Sequence, residues 1–165
     1  MRSTRGFTLF ELLVVMGLIA VMAGIAIPTL SGSTARNSVW TASETIGSQI
    51  RQARLKAISR NLSFRVRFNC PAAGQFRVLQ VTGVAATDNA ANRCRTSQLY
   101  DSGTFVMPAN VAYDAVMPLL TVNSRGVFTS TTGIPTVITV TYTGAGTTSR
   151  ALTMSATGQI SFETY

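Results

Sequence analysis

The start of the chain holds residues whose types and spacing could do chemistry, because one carboxylate interrupts a long apolar run. Glu11 is the single charged residue between Phe7 and Leu30. An unpaired charge inside a membrane costs about 2.5–3.5 kcal/mol, so this carboxylate needs a cationic partner. A polar residue tolerated at a membrane interface is the alternative.

Cys70 and Cys94 form the second candidate group. The chain contains two cysteines and no histidine. An apolar stem before them would place them outside the cytoplasm, where disulfides form and persist. We therefore expect a Cys70–Cys94 disulfide, with two free thiols as the alternative. Two cysteines without a histidine disfavour zinc, and no metal or cofactor is expected.

The third group is basic. The chain carries 14 Lys and Arg against 6 Asp and Glu, a formal net charge of +8. Arginines gathered on one face could contact phosphate, with a strong dependence on salt, or acidic neighbouring subunits. The candidate DNA or anion contacts are Arg65, Arg67, Arg77, Arg93 and Arg95.

Enzymatic chemistry is not expected. The sequence has no Gly-rich phosphate loop, no carboxylate pair and no nucleophile–base signature. Its many Ser and Thr residues lack a histidine to activate them. The acids beyond the stem are interpreted as surface or turn residues: Glu44, Asp88, Asp101, Asp114 and Glu163.

A leader and a stem position the first group. Residues 1–6 form a short basic leader, whose arginines would stay in the cytoplasm. Residues 7–30 are apolar, and a membrane-spanning helix needs about 20 such residues. The sequence therefore predicts a single-pass transmembrane stem. Gly24 and Pro28 predict a kink or a melted turn between them.

Helical periodicity resumes over residues 31–62, as the amphipathic second half of the same helix. One apolar stripe, expected to face a globular domain, consists of Val39, Ala42, Ile46, Ile50, Ala53 and Ala57. Leu55, Ile58 and Leu62 fall on another side. This second strip suits contact with other subunits, with deeper burial as the alternative.

Residues 63–165 carry short strand patterns separated by turns, which predicts an antiparallel β domain, either a sandwich or a wrapped sheet. The expected strands cover 63–68, 76–81, 98–101, 104–107, 111–115, 119–123, 127–128, 136–142, 149–155 and 159–163, with a loop over 83–95. The predicted fold class is α+β, with the long N-terminal helix packed on the antiparallel domain.

The stretch Gly6-Phe7-Thr8-Leu9-Phe10-Glu11, followed by Leu12-Leu13-Val14-Val15, resembles the class III signal of type IV pilins and type II secretion pseudopilins. The resemblance implies that a prepilin peptidase cleaves after Gly6 and methylates the new N-terminus to N-methylphenylalanine at Phe7. That cleavage would leave an amine on Phe7, one helical turn before Glu11, so the assembly residue Glu11 would pair with that amine or with the amine of a neighbouring subunit. It also implies a pilin-like fold, a stem in the bacterial inner membrane and a globular domain in the periplasm or outside. Phe10 departs from the usual Ile or Leu.

The long helix and the strand-rich domain together resemble the GspH/FimT group. This implies a structural subunit, a minor pilin or pseudopilin, that acts in the initiation or assembly of a type IV pilus or a type II secretion pseudopilus. Its partners would be other pilin subunits, prepilin peptidase and the inner membrane. The cysteine pair and the strand-rich domain favour the type IV pilus.

The alternative function is DNA binding by a minor pilin in natural transformation. Some FimT-like members bind DNA through a Gly-Arg-x-Arg stretch near the C-terminus. The matching stretch here, Gly158-Gln159-Ile160-Ser161, has neither arginine. DNA therefore stands second to other subunits as the expected partner.

Overall fold

Helix α1 (Leu9–Arg60) is the longest element of the structure, with 52 residues. The computed structural model describes residues 7–113, 117–144 and 147–164, apart from the side chains of residues 26–31 and 164. The melted turn expected between Gly24 and Pro28 is wrong, because the helix is continuous across that region. A proline removes one backbone donor, but the hydrogen bonds of the neighbouring residues keep the helix continuous past Pro28.

The second half of α1 has one buried face and one exposed face. The predicted stripe is confirmed, because none of its six side chains is more than 2 % exposed: Val39, Ala42, Ile46, Ile50, Ala53 and Ala57. Leu55 and Ile58 remain 66 % and 47 % exposed. Leu55 and Ile58 therefore form a surface, whereas Leu62, after the end of α1, is partly buried against the core. The helix ends at Asn61, which takes a left-handed conformation (φ 52°) and donates its N–H to carbonyls of the last turn.

Two antiparallel sheets follow in the described residues. Their strands are β1 (Phe64–Phe68), β2 (Gln75–Gln80), β3 (Phe105–Val106), β4 (Val111–Tyr113), β5 (Leu120–Val122), β6 (Phe128–Ser130), β7 (Thr136–Tyr142), β8 (Ser149–Met154) and β9 (Ile160–Thr164). One sheet has the order β3-β2-β1-β5-β6 and the other the order β4-β7-β8-β9. The predicted α+β class, with a long helix on antiparallel strands, is confirmed.

The core lies between α1 and the two sheets. The helix contacts β1 and β5 of the first sheet and β4, β7 and β8 of the second. On the inner face of the first sheet, Val66 pairs with Val78 on one side and Leu120 on the other, and all three are almost fully buried. Because successive side chains of a strand alternate between faces, Arg65 and Arg67 lie on the outer face of β1.

Two expectations about the connection between β2 and β3 are wrong. Residues 98–101 form a turn and not a strand, because the N–H of Gln98 donates to the carboxylate of Asp101 at 2.8 Å. This local hydrogen bond replaces the ladder that a strand would need. The expected loop over 83–95 also contains a short helix, α2 (Ala85–Asp88).

Candidate assembly site and the arginine network of the β2–β3 loop

The predicted assembly residue Glu11 lies in the first turn of α1. Thr8 caps this helix: its Oγ1 accepts a hydrogen bond from the N–H of Glu11 at 3.2 Å. The Thr-x-x-Glu spacing is that of a capping box, and a carboxylate in the first turn is favoured by the helix macrodipole. Phe7, directly before the cap, is 78 % exposed. The predicted cleavage residue Gly6 lies outside the described residues.

The stem is exposed along its described length. Every side chain from Phe7 to Ile25 is exposed, although most of them are large and apolar, and an apolar surface of this extent is typical of an interaction site. Within the part of the chain that the structure describes, no helix is both long and apolar enough to cross a membrane. The span expected over residues 7–30 includes residues 26–30, whose side chains lie outside that part.

The predicted disulfide is present. Cys70 follows β1, and Cys94 lies in the connection between β2 and β3, called here the β2–β3 loop (residues 81–104). Their Cα atoms are 5.3 Å apart, and the bond joins residues separated by 24 positions. It ties the middle of the β2–β3 loop to the end of β1.

Arg77 holds the same loop from the strand beneath it. Its guanidinium donates to the carbonyl oxygens of Cys94 (2.7 Å), Thr96 (3.3 Å) and Ser102 (3.0 Å) and to the hydroxyl of Ser97 (3.2 Å). Arg77 is buried. Its donors are therefore occupied by the loop and are not presented to an external anion.

Arg93 and Asp101 form a buried ion pair inside the loop. Nη1 and Nη2 of Arg93 lie 2.6 and 2.8 Å from the two carboxylate oxygens. Asp101 also accepts from the N–H groups of Gln80 (2.7 Å) and Gln98 (2.8 Å). Burial alone would raise the pKa of Asp101, but the hydrogen bonds from Arg93, Gln98 and Gln80 lower it below its ordinary value. The hydrogen bond to Asp101 raises the pKa of Arg93.

Asp88 orders the start of the loop in the same way. Its carboxylate accepts from the N–H and the hydroxyl of Thr82, both at 2.9 Å, and from the N–H of Gly83 at 3.0 Å. Burial would raise the pKa of Asp88, but these hydrogen bonds and the charge of Arg65 lower it. Arg65 also donates to the Asp88 carbonyl oxygen at 3.3 Å and to Oδ1 of Asn89 at 3.0 Å.

The five arginines predicted as DNA or anion contacts do not share one exposed face. The expectation is wrong for Arg77 and Arg93, which are buried and bind the loop from within. Arg65 and Arg67 are half-buried on the outer face of β1, and Arg95 is exposed. Burial lowers the pKa of Arg67, as do the positive charges of Arg65 and Arg93. The DNA-binding alternative is not supported.

Sequence reasoning missed the roles of Asp88 and Asp101, which it assigned to the surface or to turns. Asp88 is buried, as is the side chain of Asp101, and both carboxylates organise backbone N–H groups. The signal that could have found them is the local excess of arginine, because a buried guanidinium needs an anionic partner. The acid Asp114 lies outside the described residues.

Another buried arginine joins α1 to the second sheet. The guanidinium carbon of Arg150, on β8, lies 3.7 Å from the ring centroid of Trp40 and 4.2 Å from that of Phe162. Its Nη1 donates to Oε1 of Glu44 at 3.2 Å. Cation–π contacts and an ion pair thus connect α1, β8 and β9. Across the described residues, no group of three or more His, Cys, Asp or Glu side chains could hold a metal ion.

Two protein-family models match this sequence. The prokaryotic N-terminal methylation motif matches residues 1–27, and the type II transport protein GspH model matches residues 42–158, well over half of the chain. The chain belongs to the type II transport protein GspH family. The first match covers the leader and most of the stem, and the second covers the buried half of α1 and most of the β domain.

Relatives of this GspH-family chain include a pilin-like protein. The chain is 42 % identical over 59 residues to the pilin-like protein PilA1 of Thermus thermophilus, a match that covers 36 % of each protein. It therefore spans about a third of the length of that relative.

Solved structures with a similar fold include the type IV minor pilin FimU of Pseudomonas aeruginosa. The crystal structure of FimU in space group P21 has a TM-score of 0.52 at 20 % identity and covers 79 % of this chain and 91 % of FimU. The P65 crystal form gives 0.49 at 18 % identity, over 75 % and 91 %. The first likeness shows the fold of this GspH-family chain, and the predicted pilin-like fold is confirmed.

The second half of α1 and the two sheets (residues 31–164) are called here the head of this GspH-family chain. In the head, the turn between β5 and β6 is pressed against α1. Nε of Arg54 donates to the carbonyl oxygen of Gly126 at 3.0 Å. Gly126 has a φ of +77°, and a Cβ at this position would lie 2.7 Å from Cδ1 of Ile58. Only glycine meets both the backbone conformation and the space.

Proposed function

We propose that this chain is a minor subunit of a type IV pilus or of a type II secretion pseudopilus, acting in filament initiation or assembly. The observation that carries the proposal is the division of one helix into two halves. From Leu9 to Ile25 the side chains of α1 are exposed, whereas the stripe from Val39 to Ala57 is buried in the head. The first half is suited to pack against the stems of other subunits, and the second half forms the head together with the two sheets. The role is structural and not enzymatic.

Before assembly, the stem over residues 7–30 would lie in the bacterial inner membrane, with the leader in the cytoplasm and the head in the periplasm or outside. The methylation-motif match over residues 1–27 supports this arrangement. The disulfide between Cys70 and Cys94 supports it too, because disulfides persist in oxidising compartments.

Maturation would generate the charge that Glu11 needs. Cleavage after Gly6 by prepilin peptidase gives a free amine on Phe7, which the same enzyme would methylate. That amine lies directly before the cap residue Thr8, and the Glu11 carboxylate follows one turn later. In an apolar bundle of stems, pairing with the amine of a neighbouring subunit removes the cost of burying either charge alone. The pairing therefore favours assembly over an isolated stem.

Of the two assemblies, we favour the type IV pilus. The likeness to FimU, which is described as a type IV minor pilin, supports this choice, as do the cysteine pair and the strand-rich head.

The test replaces the wild-type chain in its own bacterium with a variant that carries Gly6→Val or Glu11→Ala. We expect Gly6→Val to keep its leader, as measured by the intact mass of the purified chain. We expect Glu11→Ala to be processed and to stay in the membrane fraction, but to fall at least tenfold in sheared filaments. Glu11→Asp, which keeps the carboxylate, is the matched control. Normal removal of the leader from Gly6→Val would contradict the proposed cleavage. A normal amount of Glu11→Ala in sheared filaments would contradict the proposed role of Glu11.

A further inference from the structure

The head carries an exposed apolar patch bordered by arginines, called here the α1–β6 patch. Its apolar members are Leu55, Ile58 and Val127, which are 66 %, 47 % and 41 % exposed. Arg51 and Arg125 are exposed at its border. An apolar centre with a charged rim is the usual arrangement of a protein–protein interface.

The structure holds the two sides of the α1–β6 patch together. Leu55 shares a helix face with Arg51 and Ile58, because residues three and four apart are neighbours on a helix. The turn before β6 is rigid: Oδ1 of Asn123 accepts from the N–H groups of Arg125 and Val127, both at 3.0 Å. Since Gly126 is pressed against Ile58, this turn continues the surface of α1. A preorganised surface loses little conformational entropy when a partner binds.

The charges of the head decide which partner fits. Residues 31–165 hold 12 of the 14 Lys and Arg residues and five of the six Asp and Glu residues, and the described acids among them act within the chain. Glu44 pairs with Arg150, Asp101 pairs with Arg93, and Asp88 binds backbone N–H groups. Glu163 also has an interaction within the chain, and Asp114 lies outside the described residues. Two copies of this patch would bring arginine against arginine and repel each other.

We propose that the α1–β6 patch docks an apolar, carboxylate-bearing surface of a different filament subunit. The inference rests on the proposed function and specifies the partner within it. Because the patch lies on the same helix as the stem, roughly 65–75 Å beyond Phe7 at 1.5 Å per residue, a subunit whose stem packs alongside brings its own head to this level. The arginines at the rim select an acidic neighbour, and the aliphatic side chains supply the buried centre.

The experiment places the photocrosslinking amino acid p-benzoylphenylalanine at position 55 of the full chain in its own bacterium. Sheared filaments are irradiated, and the adduct is identified by mass spectrometry. We expect one adduct with a different chain, through a peptide that contains apolar residues and Asp or Glu. Arg51→Glu combined with Arg125→Glu should lower the adduct at least tenfold, and Asp or Glu→Lys in the captured peptide should restore it.

Position 99 is the control site, since Leu99 is 83 % exposed but lies in the β2–β3 loop. Arg95→Glu is the matched charge control, and an unchanged midpoint of thermal unfolding shows that the charge variants remain folded. An adduct with a second copy, an adduct unaffected by charge reversal, or no adduct while the chain remains in filaments would each overturn the docking proposal and leave the proposed function standing. A wild-type chain absent from sheared filaments would overturn the proposed function and this inference together.

Discussion

The guanidinium of Arg93 and the carboxylate of Asp101 meet through two hydrogen bonds of 2.6 and 2.8 Å, with side chains that are 2 % and 1 % exposed. This pair lies inside the β2–β3 loop, next to the Cys70–Cys94 disulfide and the donors of Arg77. Arg77 and Arg93, which a count of charges assigns to a binding surface, are thus buried and hold the β2–β3 loop in place from inside.

Asp101→Asn should lower the free energy of unfolding by about 3 kcal/mol, because it leaves the buried guanidinium of Arg93 without its anion. The measurement is urea denaturation of the full chain in detergent, followed by circular dichroism. Arg95→Gln, an exposed change in the same loop, should shift the free energy by less than about 0.5 kcal/mol. Equal effects of the two variants would mean that the ion pair adds nothing to stability.

Acid should weaken the same loop. The pKa values of Asp101 and Asp88 are lowered in the folded chain, so each carboxylate contributes stability that is complete above its unfolded pKa, about 3.9. That contribution is lost as the pH falls from there through the lowered folded pKa. We expect the contribution of these two carboxylates to the free energy of unfolding to be constant above about pH 5 and to fall below about pH 4. In Asp101→Asn the free energy of unfolding should fall less steeply with decreasing pH than in the wild-type chain. An identical slope in the two chains would contradict the role given to Asp101.

Removal of the disulfide by Cys70→Ser with Cys94→Ser should cost about 3 kcal/mol on the chain-entropy model for a loop of this length. Hydrogen exchange should rise in the β2–β3 loop and stay unchanged in β7 and β8. Reductant should produce the same change in the wild-type chain and none in the double variant. Unchanged protection in the loop after either treatment would show that the arginine network alone orders it.

Gly126→Ala should destabilise the head by more than about 1 kcal/mol, because alanine is strained at a positive φ and its Cβ would press on Ile58. Gly83→Ala is the matched control: Gly83 has a φ of +81° with open space around it, so this variant measures the cost of backbone strain alone. Thermal unfolding of both variants separates that cost from the cost of the contact with Ile58. If the two variants lose equal stability, the contact between the turn and α1 contributes no strain.

Features that depend on neighbours in the sequence were predictable. The buried stripe from Val39 to Ala57 follows from three- and four-residue spacing along one helix, whereas the Gly6-Phe7 junction and the membrane stem stay predictions. This pattern is local, so the sequence by itself determined the α+β class and the face of α1 that meets the sheets.

The roles of the polar side chains depended on partners far along the chain, and only the tertiary structure decided them. Arg77 is held by Ser102, 25 positions later, and Arg150 by Glu44, 106 positions earlier. A count of charges cannot tell a buried guanidinium from an exposed one, because burial is set by which segments pack together. For the same reason, only the packed structure showed that Leu55 and Ile58 stay exposed and that the turn at Gly126 joins them to Val127 as one surface.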